Sequence, residues 1–260
     1  MGGHWGWGSS AVLVPLAVSV ILFAAWVLVE SRSRVPVIDM RMMRLRSVWT
    51  TNLVALLFGA SMYGIYAYLP IFLQTPAVAG YGFAASVTEA GWLLLPALAG
   101  MAVGGMLSGP IAPVVGFRAQ LGWGSGLIAV SCAGYAFLHT GLWEIAVTGG
   151  IFGLGLGFAY AAMSSVIVQN VDASQTGAAT GMNANIRTIG GAIGTAVTAS
   201  IVAGHVGPAG LPVEAGYTTA FAVMGVAAVV AVAVSLAVPR PRPAMVTPAT
   251  VEVAEPVATG

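Results

Sequence analysis

The stretch 180–204, TGMNANIRTIGGAIGTAVTASIVAG, is apolar or small except for one permanent charge, Arg187, and two asparagines just before it. Asn183, Arg187, Gly190, Gly194 and Thr198 recur at three-to-four spacing, so on a helix they share one face. Such a face, polar at one end and small throughout, suits the wall of a solute pathway or a close helix contact. The other reading of Arg187 is an anchor near a helix end, its long side chain snorkelling to water. A second stripe runs through TNLVALLFGASMYGIYAYLPIFLQ (51–74): Asn52, Gly59, Tyr63, Tyr66, Pro70 and Gln74. Tyrosines deep in an apolar segment need hydrogen-bond partners or a wet cavity. Cavity wall and ordinary interhelical packing are both open for this stripe.

Other chemistries are excluded or poorly supported. The chain has nine arginines and no lysine, which removes Schiff-base and P-loop chemistry. The one cysteine, Cys132, has no intrachain partner and lies in an apolar span. A serine–histidine dyad from Ser125 with His139 or His205 would need hydrogen-bond reach inside the membrane. Both histidines instead fall at the ends of apolar spans, and WGSG (123–126) lacks the Gly-x-Ser-Gly form. No catalytic residue, metal site or cofactor is expected, and no nucleic-acid partner.

The elements that position these residues follow from composition. Of 260 residues, 58% are hydrophobic and only 7% charged. Soluble domains carry roughly 25% charged residues, so the predicted class is an all-α, polytopic membrane protein. Runs of about 20 apolar residues predict seven spans near 10–29, 49–73, 88–112, 119–138, 143–168, 183–204 and 216–238. Pro96, Pro110 and Pro113 are expected to break or end the third. In GGIFGLGLG, Gly149, Gly153 and Gly157 recur every fourth residue and invite close helix packing. The arginine-rich connection 30–48 is either a short interfacial helix or a plain linker. The proline-rich tail 239–260 is expected to be disordered.

Charge placement orients the chain. Arginines occupy the first loop (Arg32, Arg34, Arg41, Arg44, Arg46), the third (Arg118), the border of the fifth (Arg187) and the tail (Arg240, Arg242). The second, fourth and sixth loops have none. The positive-inside rule places the arginine side in the cytoplasm and the N-terminus, with Trp5 and Trp7, outside. The expected site is the plasma (inner) membrane.

Several stretches resemble the C-terminal half, helices eight to fourteen, of the fourteen-helix drug:proton antiporters (EmrB/QacA type) of the major facilitator superfamily. ESRSRVPVIDMRMMRLRSVWTTNLVALLFGASMYGIYAYLPIFLQ resembles the eighth-to-ninth helix connection and ninth helix, and AGYGFAASVTEAGWLLLPALAG the next outer loop and the start of the tenth. QTGAATGMNANIRTIGGAIGTAV is similar to the loop before helix thirteen and that helix, with Gly190 and Gly194 as its glycines. In GPIAPVVGFR, Gly109, Gly116 and Arg118 match the superfamily's gating loop, while Pro113 and Val114 replace its acidic and basic residues.

The resemblance implies a linker helix (1–29), a cytoplasmic connection (30–48), a six-helix transporter bundle (49–238) and a cytoplasmic tail (239–260). It implies multidrug efflux by proton antiport, with small amphipathic substrates, protons and the lipid bilayer as partners. Asn52, Tyr63, Tyr66, Gln74, Asn183 and Arg187 are the pathway candidates. The family's coupling carboxylate and fifth-helix antiporter motif belong to an N-terminal half that these residues do not contain. The chain is therefore expected to need such a half, or self-association. A seven-helix receptor or structural membrane subunit is the alternative.

Overall fold

A computed structural model describes residues 9–32, 40–207 and 210–239. Expectations for Trp5, Trp7, Arg34, Arg240, Arg242 and the tail from 240 onward lie outside the described residues.

The described chain is built from helices: α1 (Ser10–Arg32), α2 (Met40–Met43), α3 (Arg46–Gln74), α4 (Val87–Phe137), α5 (Leu142–Val168), α6 (Thr176–Gly204) and α7 (Glu214–Ala237). Two short 3-10 turns, Ala77–Ala79 and Ala173–Gln175, complete the connections. Helices satisfy their own backbone groups, as a segment in lipid must. α3, α4, α5, α6 with its preceding turn, and α7 are each long and apolar enough to cross a bilayer.

α4 is two membrane-crossing arms rather than one rod. Gly116, at φ 75° and ψ 152°, interrupts its 51 residues. The chain reverses there, because Gln120 returns to Ser108, its side-chain amide donating to the Ser108 carbonyl at 2.8 Å. The break thus falls at Gly116 and not at a proline. Pro96, Pro110 and Pro113 all remain inside helix, which corrects the expectation that they break the span. With two arms in α4, the described residues hold six candidate crossings. The apolar run Leu13–Val29 of α1 is shorter, and would be the seventh. Its described apolar side chains, such as Ile21 and Val29, are exposed.

Caps fix where the arms begin. Ser86 and Glu89 form a capping box at the start of α4: the Ser86 hydroxyl accepts from the Glu89 amide at 3.2 Å, and the Glu89 carboxylate accepts from the Ser86 amide at 2.8 Å. At the start of α5 the Glu144 carboxylate accepts from the amides of Thr140 and Gly141.

The bundle has two distinct ends. At one, which we call the arginine end, Met42 packs on Val48, Ile167 and Ala179. The short helix α2 is thereby drawn onto the bundle, while residues 33–39 of the same connection are not described. Arg118 donates to the carbonyl of Leu236 in the last turn of α7, satisfying one of the acceptors a helix end leaves free. At the other end, the Tyr81 hydroxyl donates to the Pro212 carbonyl at 2.5 Å. Burial raises the Tyr81 phenol above its ordinary pKa, which keeps it a donor. There too His139 meets Glu214 at 2.7 Å, and Phe72 gathers Tyr81, Tyr217, Phe221 and His139.

Two helix pairs are packed backbone to backbone. α3 lies on α6 so closely that a Cβ at Gly190 would collide with the Leu56 carbonyl, and one at Gly194 with that of Ala60. The first arm of α4 lies on α5 in the same way, Gly153 against Ala97 and Gly157 against Met101. α7 packs on α3 and on the second arm of α4. Ser61 of α3 donates to the Met224 carbonyl at 2.9 Å, and Cys132 of α4 sits beside Gly225.

Candidate functional site: the face shared by α3, α5 and α6

The polar residues singled out on α3 and α6 meet. The side-chain amide of Asn183 donates to Asn52 at 2.9 Å, and both residues are buried. One turn further along α6, the guanidinium carbon of Arg187 lies 4.2 Å from the centroid of the Tyr160 ring on α5. A cation over a ring is attracted by its quadrupole, worth about 0.5–2 kcal/mol according to desolvation. The same ring stands edge-on to Phe58 of α3, at 5.0 Å.

Arg187 is not near a helix end. α6 begins at Thr176, seven residues before the apolar run from 183, so the expected loop 169–181 becomes helix in its second half. The backbone of Arg187 packs on Gly59, and both residues lie near the midpoints of helices 29 residues long. Arg187 therefore does not belong with the arginines of the loops, and the fifth connection loses its expected arginine. The guanidinium of this half-buried residue rests on a ring of the neighbouring helix.

The remaining candidates separate. Tyr66 packs edge-on against Phe152 at 5.6 Å, and Phe152 in turn meets Tyr135 at 5.9 Å. The Tyr66 hydroxyl is buried with no hydrogen-bond partner among the described residues, as is that of Thr198. An unsatisfied buried donor costs about 1–3 kcal/mol. Tyr63 is 41% exposed, with its ring over Gly191. Gln74 lies at the far end of α3, roughly 33 Å from Asn52 at helical rise. Its amide donates to the Pro70 carbonyl at 3.0 Å. Gly109, Gly116 and Arg118 belong to the α4 reversal and the arginine end. A Cβ at Gly109 would meet nothing within 4 Å, so packing does not require glycine there.

Tyr160, Phe58 and Phe152 complete the face, and spacing on their own helices does not single them out. The available signal is weak: Tyr160 comes just after the glycine run of α5, GGIFGLGLGFAY, whose every-fourth-residue spacing continues to Ala161. The charge on this face is one-sided. α3 beyond Arg46, α5 beyond Glu144 and the whole of α6 contain no Asp, Glu or Lys, and their one charged side chain is Arg187. The His139–Glu214 contact is the only one between a basic and an acidic side chain found among the described residues. No group of three or more His, Cys, Asp or Glu side chains gathers among them to hold a metal.

The sequence profile described as the Major Facilitator Superfamily matches residues 1–195 and 75–259. The chain belongs to the Major Facilitator Superfamily. Its relatives within this superfamily include the tetracenomycin C resistance and export protein of Streptomyces glaucescens, 31% identical over 210 residues, which are 78% of this chain and 37% of that protein. The cephamycin export protein of Amycolatopsis lactamdurans is 31% identical over 80% of this chain and 42% of its own length. The tetracycline resistance determinant of Streptomyces rimosus is 30% identical over 77% and 57% respectively. The chain thus spans about half, or less, of these major facilitator relatives. Among solved structures, the inward-open xylose transporter XylE from E. coli superposes with a TM-score of 0.62 at 21% identity, over 75% of this chain and 48% of that one. This likeness shows the fold: a multi-pass, all-helical major facilitator architecture.

Proposed function

We propose that this chain forms one bundle of a multidrug exporter that works by proton antiport, with small amphipathic compounds as substrates. Transport, rather than catalysis, is the activity. The observation that carries the reading is the α3–α5–α6 face, where Asn52, Asn183, Arg187, Tyr160 and Tyr66 bring polar groups and aromatic rings together inside an otherwise apolar bundle. Superfamily membership and relatives named for resistance and export support it. Such transporters move solutes by rocking one bundle against another about a central site. The face described here then needs an opposing bundle, from an N-terminal half or a second copy. Exposure of the Arg187 charge to lipid would cost roughly several kcal/mol.

In this proposal residues 1–29 are the outer terminus and linker helix, 30–48 the cytoplasmic connection, 49–238 the bundle and 239–260 a cytoplasmic tail. The arginine end, with Arg44, Arg46 and Arg118, faces the cytoplasm of a bacterial plasma membrane. The α3–α5–α6 face offers no carboxylate to carry the proton, so that group belongs to the opposing bundle. Expression of residues 1–260 in a pump-deficient bacterium tests the reading. We expect no export by this chain alone, and export when a matching N-terminal half is supplied. Proton-dependent export by the chain alone, at a concentration where it stays monomeric, would refute the half-transporter reading.

A further inference from the structure

We infer that Arg187 and Tyr160 select for aromatic anions, so that a planar ring bearing a carboxylate, sulfonate or phenolate is the preferred ligand of this face. The inference rests on the transport reading above and adds the sign of the charge to it. The resemblance implies amphipathic substrates without fixing their charge, and an amphipathic cation meets the wrong field here. Arg187 sits near mid-helix, the three helices of the face carry no acid beside it, and its described partner is a ring rather than a carboxylate. A bare cation approaching Tyr160 would find the ring's negative face already occupied by the guanidinium, 4.2 Å away. An aromatic anion satisfies both components. Its charge pairs with the guanidinium, whose planar fork suits a carboxylate. Its ring joins the edge-to-face pair of Tyr160 and Phe58, held at 5.0 Å.

The test uses the full chain in phosphatidylcholine nanodiscs at pH 7, with three probes of one shape: 9-anthroate, 9-anthracenemethanol and 9-anthracenemethylammonium. Probe fluorescence anisotropy reads binding, and protein-free discs give the lipid background. We expect the anion to bind at least about tenfold more tightly than the neutral and cationic probes. Arg187→Gln should reduce that preference to within about twofold. Arg187→Lys should keep the preference with weaker binding, and it guards against a Gln variant that fails to fold. Tyr160→Leu should weaken all three probes alike. Equal binding of the three, tighter binding of the cation, or an anion preference that survives Arg187→Gln would overturn the inference while leaving a ligand site on this face. Failure of every probe to bind above the lipid background would overturn the inference that this face holds such a ligand, while export by the chain paired with an N-terminal half tests the transport reading separately.

Discussion

At the scale of single residues, the Asn52–Asn183 bond and the Arg187–Tyr160 contact make different demands. The Asn183 amide donates to the Asn52 side-chain oxygen across two helices, while the Asn52 amide reaches the Met43 sulfur at 4.0 Å. Removing Asn52 leaves the buried Asn183 amide without that acceptor, and removing Asn183 leaves the Asn52 oxygen without that donor. A double-mutant cycle with alanine at both positions should give a coupling of about 0.6–1.7 kcal/mol, read from unfolding in mixed micelles. Zero coupling would mean that the bond contributes only geometry. For Arg187 the relevant readout is function. With the opposing bundle present, Arg187→Ala should abolish drug resistance at unchanged expression, Arg187→Gln should do nearly the same, and Arg187→Lys should retain part. Equal resistance in all three would reduce the residue to an anchor. Asn52, Asn183 and Arg187 were legible in the sequence because polar groups stand out against apolar helices. Tyr160 was not, since aromatic residues in helix cores are common and only the fold brings this ring under a guanidinium.

At the scale of elements, apolar runs located the membrane crossings well but marked helix ends poorly. α6 starts at Thr176 because TGAATGM continues the helix beyond its apolar part. Counting hydrophobic residues measures the lipid-crossing length, whereas the hydrogen-bonded helix runs on past it. The break in α4 falls within the expected connection 113–118, but at its glycine rather than at a proline. Proline weakens a helix locally, but reversing the chain takes a backbone conformation open to glycine, which Gly116 supplies. Gly116→Ala should therefore destabilise by about 1–3 kcal/mol. Gly109→Ala, with open space at its Cβ, should stay within about 0.5 kcal/mol. Similar losses for both, measured by thermal unfolding in detergent, would count against the assigned turn. Gly190→Ala forces a methyl against the Leu56 backbone, which has no rotamer to yield. A cost of about 1–3 kcal/mol or more is expected, together with faster proteolysis of the connection between α5 and α6.

At the scale of the whole molecule, the two ends differ in charge as well as in packing. Arg44, Arg46 and Arg118 lie at one, and Glu89, Glu144 and Glu214 at the other. In a Cys132→Ala background, a cysteine at Ser33 should react with an impermeant maleimide only after cells are permeabilised. One in place of Thr140 should react in intact cells. The reverse pattern would invert the proposed orientation. The glycine-to-backbone contacts have a mechanical consequence as well. They lock α3 to α6, and α4 to α5, with almost no side chains between them to shear. Each pair therefore moves as a stiff plate. Between the plates lie rotatable side chains, Phe58 and Arg187 on one plate and Tyr160 on the other. Slip is easiest along that seam, because side chains can change rotamer where packed backbones cannot. The distance from Arg187 to Tyr160 is then the bundle's natural strain gauge, lengthening or shortening with each excursion of the plates.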